Sequence, residues 1–337
     1  MKTKLLNREK ISSFFDSIRG KGKIIIAPRR MENKIYFSMV DSWDQVASDY
    51  IQSTLSVKAA LFPRWESLLN FSASRELIQV SAAEIPDKEI VIFGLHPCDV
   101  SAFAYLTNFF MDSIPDTNVQ KRRAGITLIT LSCKEGDDAC FCTSVGLGPG
   151  HVQGSDLVLT EINDGNFYTE IITPRGEELV TQAKDLFQDS AVIDKTPFLA
   201  EIPLKFDLPP LKEKLIQNYN NPEWIRQSFP CLGCGACAFV CPTCTCFDIQ
   251  DDGNAQSGER LRCWDSCGLS LFTLHASGHN PRPVQSYRWR QRIMHKFVYA
   301  ENDDNGGGSC VGCGRCIRVC PAQMSIVEHM QNFAEVK

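Results

Sequence analysis

Two runs of four cysteines near the C-terminus decide much of how this chain must fold. Both runs have the spacing C-x2-C-x2-C-x3-C, and a proline follows each of them. This spacing is typical of chains that hold [4Fe–4S] clusters through cysteine thiolates. The first run consists of Cys231, Cys234, Cys237 and Cys241, and the second of Cys310, Cys313, Cys316 and Cys320. Two runs predict two [4Fe–4S] clusters, and therefore a protein that transfers single electrons.

The fourth cysteine of such a run usually binds the cluster of the other run. We therefore expect a crossed arrangement that makes the two runs one metal-dependent folding unit. One cluster takes Cys231, Cys234, Cys237 and Cys320, and the other takes Cys310, Cys313, Cys316 and Cys241. Gly235 and Gly314 are expected to let the backbone pass close to the clusters. Zinc sites use other spacings, and disulfide scaffolds belong to oxidising compartments and usually to short chains.

Length and composition predict a soluble protein of two domains. The chain has 337 residues, of which 43% are hydrophobic, and its net charge of −5 gives no reason to expect nucleic acid as a partner. Residues 1–20 lack the apolar core of a signal peptide. No apolar run approaches the ~20 residues of a membrane span. We therefore expect a cytoplasmic protein whose cysteines stay in a reducing environment.

The first half of the chain has the pattern of an α/β domain with a partly parallel sheet. Residues 89–95 and 126–132 are continuous apolar runs of strand length, which is typical of parallel strands covered on both faces. We expect Asp99 to cap a helix that continues to about Phe110. The other predicted elements are a helix at 7–19, strands at 23–27 and 34–40, a hairpin across 156–172 and a helix at 177–188.

A proline-rich stretch at 196–210 is the best candidate for a boundary between domains. The segment 247–309 between the two runs is far longer than the connector of a compact β-rich ferredoxin, and a helix is predicted after Pro321. These features favour an α-helical ferredoxin-type domain with 247–309 as an inserted segment. The predicted division is an α/β domain at 1–205, a linker and helix at 206–230, and a dicluster domain at 231–337.

Four further cysteines are predicted to form a third [4Fe–4S] site in the α/β domain. Cys98 and Cys133 each come just after a predicted parallel strand, and ligands bind at that edge of open α/β sheets. Cys140 and Cys142 follow in a glycine-rich loop, so four thiols are expected to meet in one crevice. The alternative is that Cys98 and Cys133 are small core residues, which leaves the Cys-Phe-Cys sequence at 140–142 unexplained.

The four remaining cysteines are not expected to hold a fourth cluster. Cys244 and Cys246 follow the first run so closely that they must lie near its cluster. Cys263 and Cys267 have no supporting motif, and the alternative for all four is to tune the other clusters through contacts with their ligands. No G-x-G-x-x-G or Walker A motif occurs, so the chain carries no sign of binding nicotinamide.

A basic stretch precedes the second run. It has two interpretations: a solvated, ion-paired face, or cations that raise the potential of a cluster and form a docking face for an acidic partner. The residues concerned are Arg282, Arg288, Arg290, Arg292, His295 and Lys296.

Several segments resemble a known family of iron–sulfur subunits. The family includes the A subunit of anaerobic sulfite reductase and the β subunit of archaeal soluble sulfhydrogenase. Similar subunits accompany flavin oxidoreductase chains in heterodisulfide reductase complexes. The segments are HPCDVSAF at 96–103, SCKEGDDACFCTS at 132–144, CLGCGACAFVCPTCTCFDIQD at 231–251, CWDSC at 263–267, GHNPRP at 278–283, HKFVY at 295–299 and CVGCGRCIRVCP at 310–321.

The resemblance implies an electron-transfer subunit without substrate chemistry of its own. Such a subunit relays electrons between a flavin subunit that oxidises NAD(P)H and a catalytic or downstream iron–sulfur subunit, of the sulfite reductase, hydrogenase or heterodisulfide reductase type. It also implies that the cysteines of both runs are ligands, and that Cys98, Cys133, Cys140 and Cys142 correspond to the family's N-terminal cysteines. Cys263 has no counterpart. Two other functions stay open: a directly catalytic reductase subunit, and a freely diffusing polyferredoxin.

Overall fold

The computed structural model describes residues 2–300 and 308–336, which form two β-sheets and the helices around them. The strands in these residues are β1 (Lys2–Leu6), β2 (Ile24–Met31), β3 (Lys34–Met39), β4 (Trp65–Ala73), β5 (Ile78–Ala82), β6 (Ile90–Leu95), β7 (Ile126–Leu131), β8 (Leu157–Glu161), β9 (Phe167–Ile171), β10 (Phe187–Asp189), β11 (Phe247–Gly253) and β12 (Ser257–Trp264). The α-helices are α1 (Ile11–Arg19), α2 (Pro97–Met111), α3 (Thr117–Ala124), α4 (Pro174–Gln182), α5 (Leu208–Gln217), α6 (Glu223–Ser228), α7 (Ala236–Phe239), α8 (Gln285–Met294), α9 (Arg315–Arg318) and α10 (Ile326–Glu335).

The larger sheet has eight strands in the order β10-β1-β9-β8-β7-β6-β2-β3. Its central strands β2, β6, β7 and β8 run parallel to their neighbours in this group, and the outer pairs are antiparallel. Successive residues of a strand point to opposite faces, so the side chains of β6 contribute to two hydrophobic cores. Val91 and Phe93 pack with α1 on one side, and Ile92 packs with α2 on the other. The predicted α/β architecture with a partly parallel sheet is confirmed.

Two predictions for this half are wrong in detail. The helix after β6 begins at Pro97, with His96 as the residue before it, because proline fits the first position of a helix. Asp99 therefore does not cap this helix; it is buried in the first turn and forms an ion pair with Arg315 at 2.7 Å. The helix predicted at 177–188 ends at Gln182, and a short strand, β10, follows it.

The smaller sheet joins two distant parts of the chain, in the antiparallel order β11-β12-β4-β5. The hairpin β11–β12 opens the segment 247–309, which the sequence predicts to be an insertion within the dicluster domain. Its second strand instead pairs with β4 from the first half of the chain. Residues 301–307 of the same segment lie outside the described residues. The division into domains at 205 and 231 stays a prediction.

A buried ion-pair network fixes this hairpin to the first half. Arg262 on β12 donates to Glu66 on β4 at 2.9 Å and pairs with Asp116, the N-cap of α3, at 2.5 Å. Arg122 in α3 also pairs with Glu66, at 2.6 Å. The exposed fractions are only 4% for Arg262 and 6% for Glu66. Because Arg262 and Glu66 are almost fully shielded from water, each charge depends on the other for stabilisation.

We expect Arg262→Met to lower the free energy of unfolding by about 3 kcal/mol, because it leaves a buried carboxylate with one cation instead of two. The measurement is urea unfolding of the anaerobic protein followed by circular dichroism. Arg260→Met is the matched control, since Arg260 lies on the same strand and pairs with the exposed Asp251. Equal effects of the two substitutions would show that the buried network is not what holds the hairpin.

The helix that the sequence predicts after Pro321 is α10, and a second hydrophobic core surrounds it. His329 of α10 lies between Trp224 and Trp289 and is 3% exposed. Its Nδ1 accepts a hydrogen bond from the Trp289 indole at 2.9 Å. Burial lowers the pKa of His329 to about 3. The imidazole is therefore neutral in the folded protein near neutral pH.

This histidine makes folding sensitive to acid. Below the ordinary histidine pKa of about 6.5, His329 binds a proton in the unfolded chain but not in the folded protein. The free energy of unfolding therefore falls as the pH falls. We expect a loss of about 2 kcal/mol between about pH 6.5 and pH 5. The check is the difference in unfolding free energy between the wild type and His329→Gln across this range. The expected difference shrinks towards low pH, and a constant difference would contradict the assignment.

Candidate iron–sulfur sites

The first group of cysteines lines one cavity beside α8. Its wall contains the four cysteines that the crossed arrangement assigns to one cluster: Cys231, Cys234, Cys237 and Cys320. Gln285 of α8 donates a hydrogen bond to the sulfur of Cys231 at 3.0 Å. Cys316, which is predicted to serve the other cluster, also borders this cavity. The first and second groups are therefore neighbours.

The second group brings Cys241 of the first run to the cysteines of the second run. Burial raises the pKa of Cys310 and Cys316 to about 12, and the charge of Cys241 adds to both rises. Burial also raises the pKa of Cys313, again with a contribution from Cys241. A thiol of this kind keeps its proton unless a metal takes the proton's place. Cys310, Cys313 and Cys316 are therefore poorly suited to carry free negative charge, whereas a hydrogen bond with Cys244 and the charges of Lys296 and Arg292 lower the pKa of Cys241.

The third group lies at the carboxyl edge of the parallel strands. Cys98 is in the first turn of α2, Cys133 lies just beyond β7, and Cys140 and Cys142 come from the loop that follows. Burial raises the pKa of Cys133, and the charges of Cys142 and Cys140 raise it further. Burial likewise raises the pKa of Cys98, with a smaller contribution from Cys133. The structure thus brings together all four cysteines that the sequence predicts for this site.

The third group packs directly against the second run. The amide of Gln52 contacts the sulfur of Cys98 at 3.5 Å and donates to the carbonyl oxygen of Cys313 at 3.3 Å. The backbone N–H of Phe141 donates to the carbonyl of Gly312 at 3.0 Å. The three groups therefore form a continuous series from the sheet edge to α8. No sequence motif indicated Gln52.

Each run continues into a short helix that begins after a glycine. α7 follows Gly235 and α9 follows Gly314, with φ values of 73° and 70°. Only glycine adopts this conformation freely. At Gly314 a Cβ would lie 2.3 Å from the carbonyl oxygen of Ala139, so a larger residue would also push away the loop of the third group.

Three buried cations lie among the cysteines of the first two groups. Lys58, Arg292 and Lys296 are 3%, 5% and 4% exposed, and within the described residues no carboxylate forms an ion pair with them. Lys58 donates to the carbonyl of Cys244 at 3.1 Å, and Arg292 donates to that of Cys237 at 3.0 Å. Burying a cation without an anion is costly. Burial lowers the pKa of Lys58, whereas the charges of nearby cysteines raise the pKa of Arg292 and Lys296 despite their burial. Arg292 and Lys296 therefore indicate that the neighbouring thiols carry negative charge when the sites are complete.

The basic stretch before the second run is thus divided between surface and core. Arg290 lies near the surface and stacks on Tyr219 and Tyr287, whereas Arg292 and Lys296 face the cysteines. No sequence pattern indicated Lys58, because it is a single lysine in a mostly apolar stretch, far along the chain from either run.

The remaining cysteines do not gather as a set of four. Cys244 is buried beside Cys241, and a hydrogen bond between Cys246 and Cys267 lowers the pKa of Cys246 to about 6. Cys263 lies on β12, in register with Asp248 and Trp65 on the neighbouring strands. The structure therefore supplies three thiols near the first two groups.

The donor sets fit iron–sulfur clusters better than single ions. In residues 2–300 and 308–336, no three His, Cys, Asp or Glu side chains converge closely enough to hold one metal ion. A cubane cluster distributes its four cysteines over four iron atoms, so its ligands surround a larger object. Each of the three groups offers four thiols; the carboxylates closest to the third group, Asp99 and Asp137, form ion pairs with Arg315 and Arg318.

Comparison with known proteins agrees with this chemistry. Residues 230–324 match the family described as the 4Fe-4S dicluster domain. The chain is also similar to Sulfhydrogenase 2 subunit beta of Pyrococcus furiosus, with 29% identity over 340 residues that cover 98% of this chain and 97% of the relative. The predicted resemblance to an iron–sulfur subunit family is confirmed. Within the described residues, no helix is both long and apolar enough to cross a membrane.

Proposed function

We propose that this chain is the electron-transfer subunit of a cytoplasmic multi-subunit oxidoreductase and holds three [4Fe–4S] clusters. The observation that carries the proposal is the series of three four-cysteine groups, each adjacent to the next. The dicluster domain and the similarity to a protein named as a sulfhydrogenase subunit support it. The proposed partners are a flavoprotein subunit that oxidises NAD(P)H and a catalytic or downstream iron–sulfur subunit, of the hydrogenase, sulfite reductase or heterodisulfide reductase type.

In this function the chain's own residues determine the distances between the three cysteine groups, their access to solvent and the charge around them. A bound [4Fe–4S] cluster supplies a site for one electron at a time. Gln52 ties the third group to the second run, and Arg292 contacts the first run while its charge acts on Cys316 of the second. Buried cations favour the more negative, reduced state of a neighbouring site and raise its potential. The cations lie around the first two groups, so these sites are expected to have the higher potentials.

The test is metal content and spectroscopy of the anaerobically purified chain. Three sites predict about 12 iron atoms per chain, four for each cluster. Cys140→Ser is expected to lower the content to about 8 and to remove one electron paramagnetic resonance signal of the dithionite-reduced protein. A wild-type content near 8 would reject the third site and leave the dicluster domain unaffected.

A second candidate function is direct reduction of a small substrate at the sheet edge. A cavity beside Cys133 is lined by polar side chains, among them Tyr50, His96, Lys134 and Glu161. This candidate predicts that the isolated chain reduces a probe such as sulfite with an artificial electron donor. The electron-transfer proposal predicts no such activity without partner subunits.

A further inference from the structure

Large apolar side chains are exposed around the first cysteine run. Phe229 is 89% exposed, Leu232 is 70% exposed and Leu271 is 71% exposed. Cys234, one of the cysteines of the first group, is itself exposed. Single apolar residues on a surface need no explanation, but a cluster of them beside a redox site does. We refer to Phe229, Leu232, Cys234 and Leu271 as the Cys234 face.

The segment that carries Leu271 lies beside the loop of the first run. The loop of the first run packs against the segment after β12: a Cβ at Gly233 would lie 3.6 Å from the carbonyl oxygen of Gly268, and one at Gly235 would lie 3.4 Å from the Leu269 side chain. Leu271 follows in the same turn-rich segment, and Leu232 lies on the rim of the cavity that Cys234 shares.

Among the residues that the structure describes, arginines but no carboxylates line the cavity that this face borders. No aspartate or glutamate occurs from Ser266 to Ala300, and none occurs from 224 to 247. Arg282 and Arg290 are half-buried cations in the first of these stretches. Of the two carboxylates that directly precede these stretches, Glu223 forms an ion pair with Arg226, and the half-buried Asp265 accepts a hydrogen bond from the Ser266 N–H. Two arginines, Arg288 and Arg292, line the cavity that Leu232 and Cys234 border, so the side chains beside the face carry positive charge although the whole chain has a net charge of −5.

We infer that the Cys234 face is the docking site of a second redox protein whose contact surface is apolar at its centre and acidic at its rim. An apolar centre with a polar rim is the usual anatomy of a protein interface. The opposite charges would orient the two proteins before contact. The exposed cysteine of the first group brings the end of the series of sites to the interface. This inference rests on the proposed function, because it names the chemistry of the partner.

The edge strand β5 is the competing surface. Ile78 and Val80 are 72% and 62% exposed there, and an unpaired strand edge can accept a strand from another protein. This strand belongs to the smaller sheet and contributes none of the cysteines of the three groups. It therefore serves as an internal control for the effect of a new surface charge.

The experiment uses a flavodoxin, a small acidic flavin protein, as the probe for the complete chain with its clusters. Binding of oxidised flavodoxin is measured by titration calorimetry. Transfer of one electron from the reduced flavin to the oxidised protein is measured by stopped flow. Both are repeated at several salt concentrations with the wild type, Leu271→Glu, Leu232→Glu and Val80→Glu. Leu271 is the more informative position because it is not next to a cysteine of the first group.

We expect both binding and electron transfer to weaken as salt is added, because local attraction outweighs the repulsion between two proteins of net negative charge. Leu271→Glu and Leu232→Glu are expected to weaken binding by about tenfold or more, and Val80→Glu is expected to have no effect; Leu271→Glu is expected to do so with unchanged iron content. Stronger binding at higher salt, wild-type binding by both leucine variants, or loss of binding in Val80→Glu alone would overturn the inference.

Failure of the inference is distinguishable from failure of the proposed function. A wild-type chain that holds iron and accepts electrons from dithionite, but does not use this face with flavodoxin, would contradict only the docking site. A chain that holds no iron, or that dithionite cannot reduce, would contradict the proposed function as well.

Discussion

Replacing Cys241 with serine is expected to abolish the site of Cys310, Cys313 and Cys316, although Cys241 belongs to the other run. The reason is the predicted crossed arrangement, which agrees with the charge of Cys241 acting on all three cysteines of the second group. Iron content is expected to fall by about four atoms per chain. Because binding of a structural metal contributes directly to folding, the C-terminal part is also expected to become sensitive to proteolysis.

Double variants separate crossed from uncrossed ligation. Cys237 and Cys320 border the same cavity, so Cys237→Ser with Cys320→Ser should lose no more iron than either single variant. Cys237→Ser with Cys241→Ser should lose two sites, or about eight iron atoms. Uncrossed ligation gives the opposite result for both pairs. Cys263→Ser is the matched control, because Cys263 lies on β12 and belongs to none of the three groups.

The elements that sequence analysis predicts best are those whose signal is local. β6 and β7 are apolar along their whole length because both faces are covered, and their residues fall within the predicted limits. The turn at Asn163–Gly165 joins β8 to β9 as its composition indicates. In each case a few neighbouring residues carry the whole pattern.

The smaller sheet could not be predicted in the same way. Every residue of β11 is exposed, and three of its seven residues are aspartates. Such a segment resembles a loop by composition, and only its pairing with β12 and β4 makes it a strand. Strand formation that depends on tertiary contacts leaves little trace in the sequence itself.

The candidate site likewise contains residues that the local sequence predicts and residues that it does not. The spacing of the two runs identifies them as cluster ligands, and the third group could be predicted because parallel strands place their carboxyl ends at one edge of the sheet. Lys58 and Gln52 could not be predicted, because a single lysine or glutamine forms no spacing pattern in the sequence. Asp99 was predicted to cap a helix from local preference, whereas its partner Arg315 lies in the second run.

Replacing Arg315 with methionine is expected to destabilise the protein by about 3–5 kcal/mol, because it leaves a carboxylate buried without its cation. Arg315 is 2% exposed and Asp99 is 1% exposed. The guanidinium also donates to the backbone carbonyl of Ser53 at 3.0 Å and to its hydroxyl at 2.8 Å. One side chain of the second run thus holds together two segments of the first half. The measurement is urea unfolding under anaerobic conditions, with iron content determined in parallel.

The double variant Asp99→Asn with Arg315→Met identifies the cause. It removes the unpaired charge as well as the cation, so it is expected to recover part of the lost stability. Arg318→Met is the control for position, because Arg318 pairs with the more exposed Asp137 and should change stability little. If the double variant were no more stable than Arg315→Met, the buried charge would not be the origin of the loss. The contacts with Ser53 would then be the main link between the second run and the first half of the chain.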